Sequence, residues 1–370
     1  MRVVYNSFHG RYSDNPRAVH ERLVDHPGVE HVWLAHAEHA DGFPPGVATV
    51  DIDSAEAAEV LESADLVVAN THTEVEWHKR PGAVYLQTWH GTPMKRIHHD
   101  VLWAPPGRLT RLDRDIAKWD LLVSPNAVST PRLRAAFRFQ GQILELGYPR
   151  NDVLSQPRQQ RLRRKARRRL GLDEDATVVL YAPTWRDDEY FAGERAPVTL
   201  GLDVGELGER LGDDVTLLVR THNMMTGRVP VVEGPRVRDM SRHPDIRDLH
   251  VVADALVTDY SSSMFDFAVT GKPMAFYTYD LERFRDSIRG FYFDLEPIAP
   301  GPMVTDPRDL ADALLDLTAL RSAFEDRYRS FQRTFCHLED GHATDRLLAA
   351  LGIGTTPRRS SSVEPMVAAP

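Results

Sequence analysis

Residues 85–100, YLQTWHGTPMKRIHHD, open as an apolar run and close as a cationic turn carrying His90, Gly91, Thr92, Pro93 and Lys95. An apolar strand that releases polar residues at its carboxyl end is what a doubly wound parallel sheet requires, because ligands collect outside the carboxyl ends of its strands. The rest of the chain repeats the pattern. Short β-branched runs at 2–6, 31–35, 64–70, 83–89, 119–126 and 142–147 are followed by a second set at 177–185, 215–221, 255–260 and 273–279. Many are continuously apolar rather than alternating, as strands covered on both faces must be. Strands separated by helix-length segments imply βαβ units, so the predicted class is α/β.

A chain of 370 residues exceeds one typical hydrophobic core, and two domains are expected. Between the strand sets, QPRQQRLRRKARRRLGLDED places Leu162, Ala166 and Leu170 four apart among arginines, with Gly171 after them. The spacing predicts a basic helix over 158–169 with a thin apolar stripe and a glycine C-cap. The boundary falls there: an N-terminal domain over 1–156, a C-terminal domain over 157–353, and a disordered tail over 354–370 with few large apolar residues.

Composition narrows the function. The chain is 42% hydrophobic and 27% charged, ordinary for a folded protein, and its net charge of −9 argues against nucleic acid as the partner. The one cysteine, Cys336, cannot form an internal disulfide, and no apolar run approaches the length of a membrane span. The N-terminus lacks the apolar core and cleavage site of a secretory signal. A cytoplasmic location is expected, with membrane contact limited to a peripheral one, for instance the basic helix on anionic headgroups.

Three strand endings carry candidate chemistry. At the first, His90 can accept a proton near neutral pH, Gly91 allows close backbone approach and Pro93 stiffens the turn. An isolated histidine at such a turn is more often a buried, hydrogen-bonded one. At the second, LLVRTHNMM, Arg220 and His222 lie two residues apart and face the same side of an extended chain, where they can grip a phosphate. Pairing of Arg220 with a carboxylate is the competing expectation. At the third, ALVTDYSSSMFDFAVTGKP, a strand ends in Thr258 and Asp259 and a serine triplet opens a helix that stops near Gly271. Free N–H groups and hydroxyls there suit an anion, although Ser263 and Asp266 also match a capping-box spacing. His31, His36, His39, His98 and His99 show no metal-binding spacing, so neither a metal nor a cofactor is expected. No dinucleotide fingerprint, P-loop or nucleophile elbow occurs.

Seven segments in order, YSDNP (12–16), QTWHGTPMKR (87–96), GYPRND (147–152), YAPTWR (181–186), RTH (220–222), VTDYSSSMFDF (257–267) and DGHATDR (340–346), resemble the CDP-glycerol glycerophosphotransferases, the teichoic-acid primases and polymerases. The resemblance implies a GT-B fold, two Rossmann-like domains facing across a cleft, with the last helix packing back on the first domain. It implies attack of an acceptor hydroxyl on the β-phosphorus of CDP-glycerol with departure of CMP. His90 would then be the general base, and Gly91, Thr92, Pro93 and Met94 would line the glycerophosphate. Arg220, Thr221 and a protonated His222 would hold the pyrophosphate, and Thr258, Asp259, Tyr260, Ser261, Ser262 and Ser263 would cradle it from the helix end. Arg150, Thr184 and Trp185 would complete the donor pocket. The family's polymerases often carry additional N-terminal sequence and a membrane-targeting region, so the expectation centres on transfer. The donor polyol, glycerol or ribitol, stays open, as does a lipid-linked or glycan acceptor in teichoic-acid or capsule synthesis. The alternatives are a GT-B glycosyltransferase using a UDP-sugar and a catalytically silent nucleotide- or membrane-binding protein.

Overall fold

The computed structural model describes residues 1–155, 159–186, 188, 200–222, 225 and 228–354. The tail expected beyond Gly354 lies outside the described residues, as does Arg158 at the start of the expected basic helix.

The first sheet holds β1 (Arg2–Asn6), β2 (Glu30–Ala35), β3 (Thr49–Asp51), β4 (Leu66–Ala69), β5 (Val84–Gln87), β6 (Leu121–Ser124) and β7 (Gln142–Glu145), in the order 3-2-1-4-5-6-7. The second holds β8 (Thr177–Tyr181), β9 (Val215–Val219), β10 (Val237–Asp239), β11 (Ala255–Thr258), β12 (Met274–Tyr277) and β13 (Met303–Val304), in the order 10-9-8-11-12-13. Every pairing is parallel. Each sheet starts from an inner strand and winds outward both ways, so the order reverses at β1/β4 and at β8/β11. Crevices open at both reversals. This is the expected α/β, GT-B arrangement.

The continuous apolar runs are explained by burial on both faces. In the first sheet Val4, Leu34 and Val67 join one core cluster while Val3, Tyr5, Trp33 and Val68 join the other. In the second, Val178, Leu180 and Leu218 face one cluster and Val179, Tyr181 and Leu217 the opposite one. The ten strands predicted from apolar runs are all present. The three that were not, β3, β10 and β13, are edge strands of two or three residues, too short to leave a hydrophobic pattern.

The basic helix spans Gln159–Arg169, seats Ala166 and Leu170 in the second core, and is followed by Gly171 at φ +60°. Its arginines are not uniformly solvated: Arg163 and Arg167 both pair with Asp254. The helix Ala343–Ala350 returns to the first sheet, where Leu347 and Leu348 pack with Val3 and Tyr5. Asp152 fixes its start by accepting from the N–H groups of Ala343 (2.8 Å) and Thr344 (2.9 Å).

Candidate active site

The turn after β5 is built under strain and held from several sides. Trp89 adopts φ 54°, a left-handed conformation that costs a non-glycine residue about 1–3 kcal/mol and survives only where its surroundings fix it. Gln87 Oε1 accepts the Trp89 N–H (2.9 Å), and Asn15 Nδ2 donates to the Trp89 carbonyl (3.0 Å). The strained turn aims the next side chain. His90 Nδ1 donates to the Asn70 carbonyl at the end of β4, and because a carbonyl can only accept, the Nδ1 atom carries the proton. Nε2 is left with its lone pair. Burial holds the ring's pKa down at about 4, against the Asn70 carbonyl and Asp14, so the imidazole is neutral at pH 7.

Beyond His90 the chain leaves the first sheet and docks on the second. A Cβ on Gly91 would sit 2.6 Å from Ser262 Oγ, so the absence of a side chain lets the two lobes touch where His90 emerges. Lys95 pairs in antiparallel fashion with Phe291, and Tyr292 donates its N–H to the Met94 carbonyl (2.8 Å). Met94 is therefore not a lining residue as expected. Its side chain is 1% exposed and belongs to the core of the second domain. Thr92 and Pro93 are also buried, Thr92 accepting from Asn126 Nδ2 (3.3 Å). Of the expected lining set, Gly91 faces Ser262 of the serine loop.

Across the cleft, the ends of β8, β9 and β11 supply the facing groups. Lys95 Nζ donates to Thr184 Oγ1 (3.3 Å), which sets an ammonium from the first domain's strap beside the β8 loop. The His222 ring stacks on Trp185 at 5.7 Å. Burial, then Lys95, His90, Arg220 and Arg289, push the His222 pKa well below its usual value. Without a ligand the imidazole is therefore held towards its neutral form beside the cations of Lys95, Arg220 and Arg289, whereas the protonated His222 was expected on a bound pyrophosphate, an anion that would favour protonation. Arg220 Nη1 donates to the carbonyls of Met240 (3.0 Å) and His243. Burial, reinforced by Arg11, lowers its pKa to about 10, and no carboxylate pairs with it among the described residues. Thr184, Trp185, Thr221, His222, Met225 and Tyr279 line a narrow recess, and Thr221 Oγ1 is buried there without a hydrogen-bond partner. A broader depression of about 920 Å³ at the ends of β12 and β13 shares Tyr279 but lacks the histidines.

The serine loop divides by role. Thr258 donates to the Ala182 carbonyl (2.7 Å) and Tyr260 to Asp280 (3.1 Å), and both are fully buried. Asp259 accepts from the N–H groups of Thr184 (2.8 Å) and Tyr260 (2.6 Å) and pairs with Arg186 (2.9 Å), so it fastens two loops together rather than cradling an anion. Ser263 bonds His250 Nε2 (2.8 Å) and Asp266 bonds Arg150 and Asn151, so the capping box that their spacing also allowed does not form. Ser261 and Ser262 remain partly open to the cleft.

Arg150 also departs from expectation. Only 3% exposed, it pairs with Asp14 (2.6 Å) and Asp266 (2.7 Å) and ties the first domain to the helix Ser263–Ala268. Sequence reasoning passed over Arg11, in the loop after β1. It is 8% exposed, its Nε has no hydrogen-bond partner, and it lies close enough to Arg220 to lower that residue's pKa. The strand-end rule that selected His90 and Arg220 applies equally to β1 and would have found it.

Residues 1–351 match the family model for CDP-Glycerol:Poly(glycerophosphate) glycerophosphotransferase. The teichoic acid glycerol-phosphate transferase of Staphylococcus aureus is 38% identical over 355 residues, covering 93% of this chain and 91% of that one. The teichoic acid poly(glycerol phosphate) polymerase of Bacillus subtilis is 35% identical, over 94% of this chain and 48% of its own length. The structure of the wall teichoic acid polymerase TagF superposes with a TM-score of 0.84 at 33% identity, over 95% of this chain and 88% of that one, and a histidine variant of it soaked with CDPG does so equally well. The UDP-GlcNAc 2-epimerase of Neisseria meningitidis, at 11% identity and a TM-score of 0.52, shares the fold alone. On the match of nearly its whole length, the chain belongs to the CDP-glycerol glycerophosphotransferase family.

Proposed function

We propose that the protein transfers glycerol phosphate from CDP-glycerol to a hydroxyl of a teichoic-acid-type acceptor and releases CMP. The observation that supports this most is the contact of Gly91 with Ser262, which brings a neutral, lone-pair-bearing imidazole from one domain to the cationic strand ends of the other. The acceptor oxygen attacks the β-phosphorus, His90 Nε2 takes the acceptor proton, and the bond from that phosphorus to the bridging oxygen breaks, leaving its electron pair on CMP. General-base assistance of this kind contributes about 10²–10⁴ in rate. Arg220, Arg11 and Lys95 offset the diphosphate charge, and Thr221, Ser261 and Ser262 supply neutral donors. As the diphosphate settles among these groups, His222 takes up a proton and acts as a further donor.

In this reading residues 1–156 supply the base and 157–353 the donor pocket. The acceptor is lipid-linked or glycan, and glycerol and ribitol donors compete for one site. Among the described residues no helix is long and apolar enough to cross a membrane. We place the protein on the cytoplasmic side, with any lipid contact at the surface, through exposed arginines such as Arg164.

The test is incubation with CDP-glycerol, CDP-ribitol or UDP-N-acetylglucosamine and a glycerol-phosphate-primed lipid acceptor, with identification of the freed nucleotide. CMP release from CDP-glycerol is expected. Release of UDP without CMP would assign a sugar transferase instead, and nucleotide binding without any release would assign a silent binding protein.

A further inference from the structure

The segment that carries His90 ends in His98 and His99, which take no part in the cleft. His98 is 8% exposed and sits at φ 48°, a second left-handed position on the same segment. Neither of its ring nitrogens has a hydrogen-bond partner, whereas buried polar atoms nearly always find one. The Ala136 carbonyl lies beside the ring, and a backbone carbonyl is where a metal-binding imidazole commonly sends its other N–H.

The opposite side of the ring faces a carboxylate. His98 Nε2 lies 3.8 Å from Asp113 Oδ1, on the helix Arg108–Ile116, and His99 Nε2 lies 2.9 Å from the same oxygen. One donor atom from each of the three residues falls within 4.8 Å of the others. Tetrahedral Zn²⁺ ligands, about 2.0–2.2 Å from the ion, stand roughly 3.3–3.6 Å apart, so small side-chain shifts close the difference. Two imidazoles and one carboxylate suit a borderline ion such as zinc and not the all-oxygen preference of calcium or magnesium. The Asp113 side chain is 43% exposed and leaves a route from solvent.

We infer that His98, His99 and Asp113 form a Zn²⁺ site, with water completing the coordination. The ion staples the 98–100 turn to the helix Arg108–Ile116. Next in the turn, Asp100 accepts from the hydroxyl of Tyr292 in the second domain (2.6 Å), so the staple steadies the strap that crosses between domains. The inference does not depend on the proposed transfer reaction.

The full-length chain, stripped with a chelator and dialysed, is titrated with ZnCl₂ while bound metal and thermal unfolding are followed. One tight equivalent and a raised Tm are expected in the parent protein. Both should be lost in His98→Ala and in Asp113→Asn, and kept in His36→Ala/His39→Ala, which removes the other His-rich trio at His36, Glu38 and His39. Should His98→Ala fail to fold, the partly exposed Asp113 carries the test. Absence of tight zinc in the parent, zinc unchanged in Asp113→Asn, or loss of the tight equivalent in the His36/His39 variant would each overturn the site.

Discussion

Two groups of buried arginines meet at the junction of the domains and differ in what neutralises them. In the first, Arg17 pairs with Glu21 (2.8 Å), Asp248 (3.0 Å) and Asp245 (3.2 Å), Arg247 reaches Glu21 (2.7 Å), and Arg150 bridges Asp14 and Asp266. Burial alone would lower the pKa of Arg17 and Arg150, yet the surrounding carboxylates raise both. In the second group, Arg220 and Arg11 stand near one another with no carboxylate ion pair among the described residues; burial lowers both, although Asp245, Asp248 and Asp239 act on Arg220 from a distance and Glu38 acts on Arg11. Removing charged groups from water is costly unless a counter-charge is present. The first group carries its anions within the fold. In the proposed reaction, the second takes its anion from the donor diphosphate.

Arg150→Ala should produce the largest effect, because it leaves Asp14 and Asp266 buried without their cation. A loss of about 3–5 kcal/mol is expected in denaturant unfolding. A midpoint close to that of the parent would break the distinction at once. Arg220→Ala should behave in the opposite manner, with CMP release reduced about 10²–10³-fold and the unfolding midpoint little changed. Equal losses of stability in the two variants would make the second group structural as well.

The contact joining the groups can be tested sterically. Gly91→Ala places a methyl where Ser262 Oγ stands and should lower kcat/KM about 10²-fold, the cost of misplacing a reacting group by about an ångström. Ser262→Gly in the same chain should restore part of the loss. No restoration would mean that the serine hydroxyl matters more than the spacing.

A smaller effect sharpens the comparison from the acidic side. Glu339 is buried without a cation, and burial, with Asp266 and Asp152 adding to it, raises its pKa to about 8. The folded protein therefore holds this proton between the ordinary glutamate value of about 4.3 and pH 8, where the unfolded chain has released it. The stabilisation is complete below the lower value and is lost as pH rises through 8. Glu339→Gln should raise Tm relative to the parent above pH 8 and leave it unchanged near pH 4. A Tm difference independent of pH would place the charge elsewhere.

Much of this was legible because a parallel sheet buries its strands on both faces and delivers polar residues at their carboxyl ends. Both consequences are local in sequence. His90, Arg220, His222 and the 258–263 loop were found that way, and the structure brings their segments to one cleft. What stayed hidden depends on where the chain goes next. Nothing in the spacing of HGTPMKR shows that Met94 crosses into the other domain's core, or that Asp259 would meet Arg186. The resemblance put Arg150 in the donor pocket, and its pairing stayed hidden because its two carboxylate partners lie 136 and 116 residues away in sequence. The edge strands were missed for a different reason, since two or three residues paired on one side carry no apolar period.

In the proposed reaction an imidazole of the first domain takes the proton of the hydroxyl that attacks a diphosphate held by the second. Donor affinity and CMP release measured side by side on His90→Ala test it most directly. CDP-glycerol binding within a few-fold of the parent and CMP release lower by about 10²–10⁴ are expected. Release at the parent rate from a folded His90→Ala protein would contradict it.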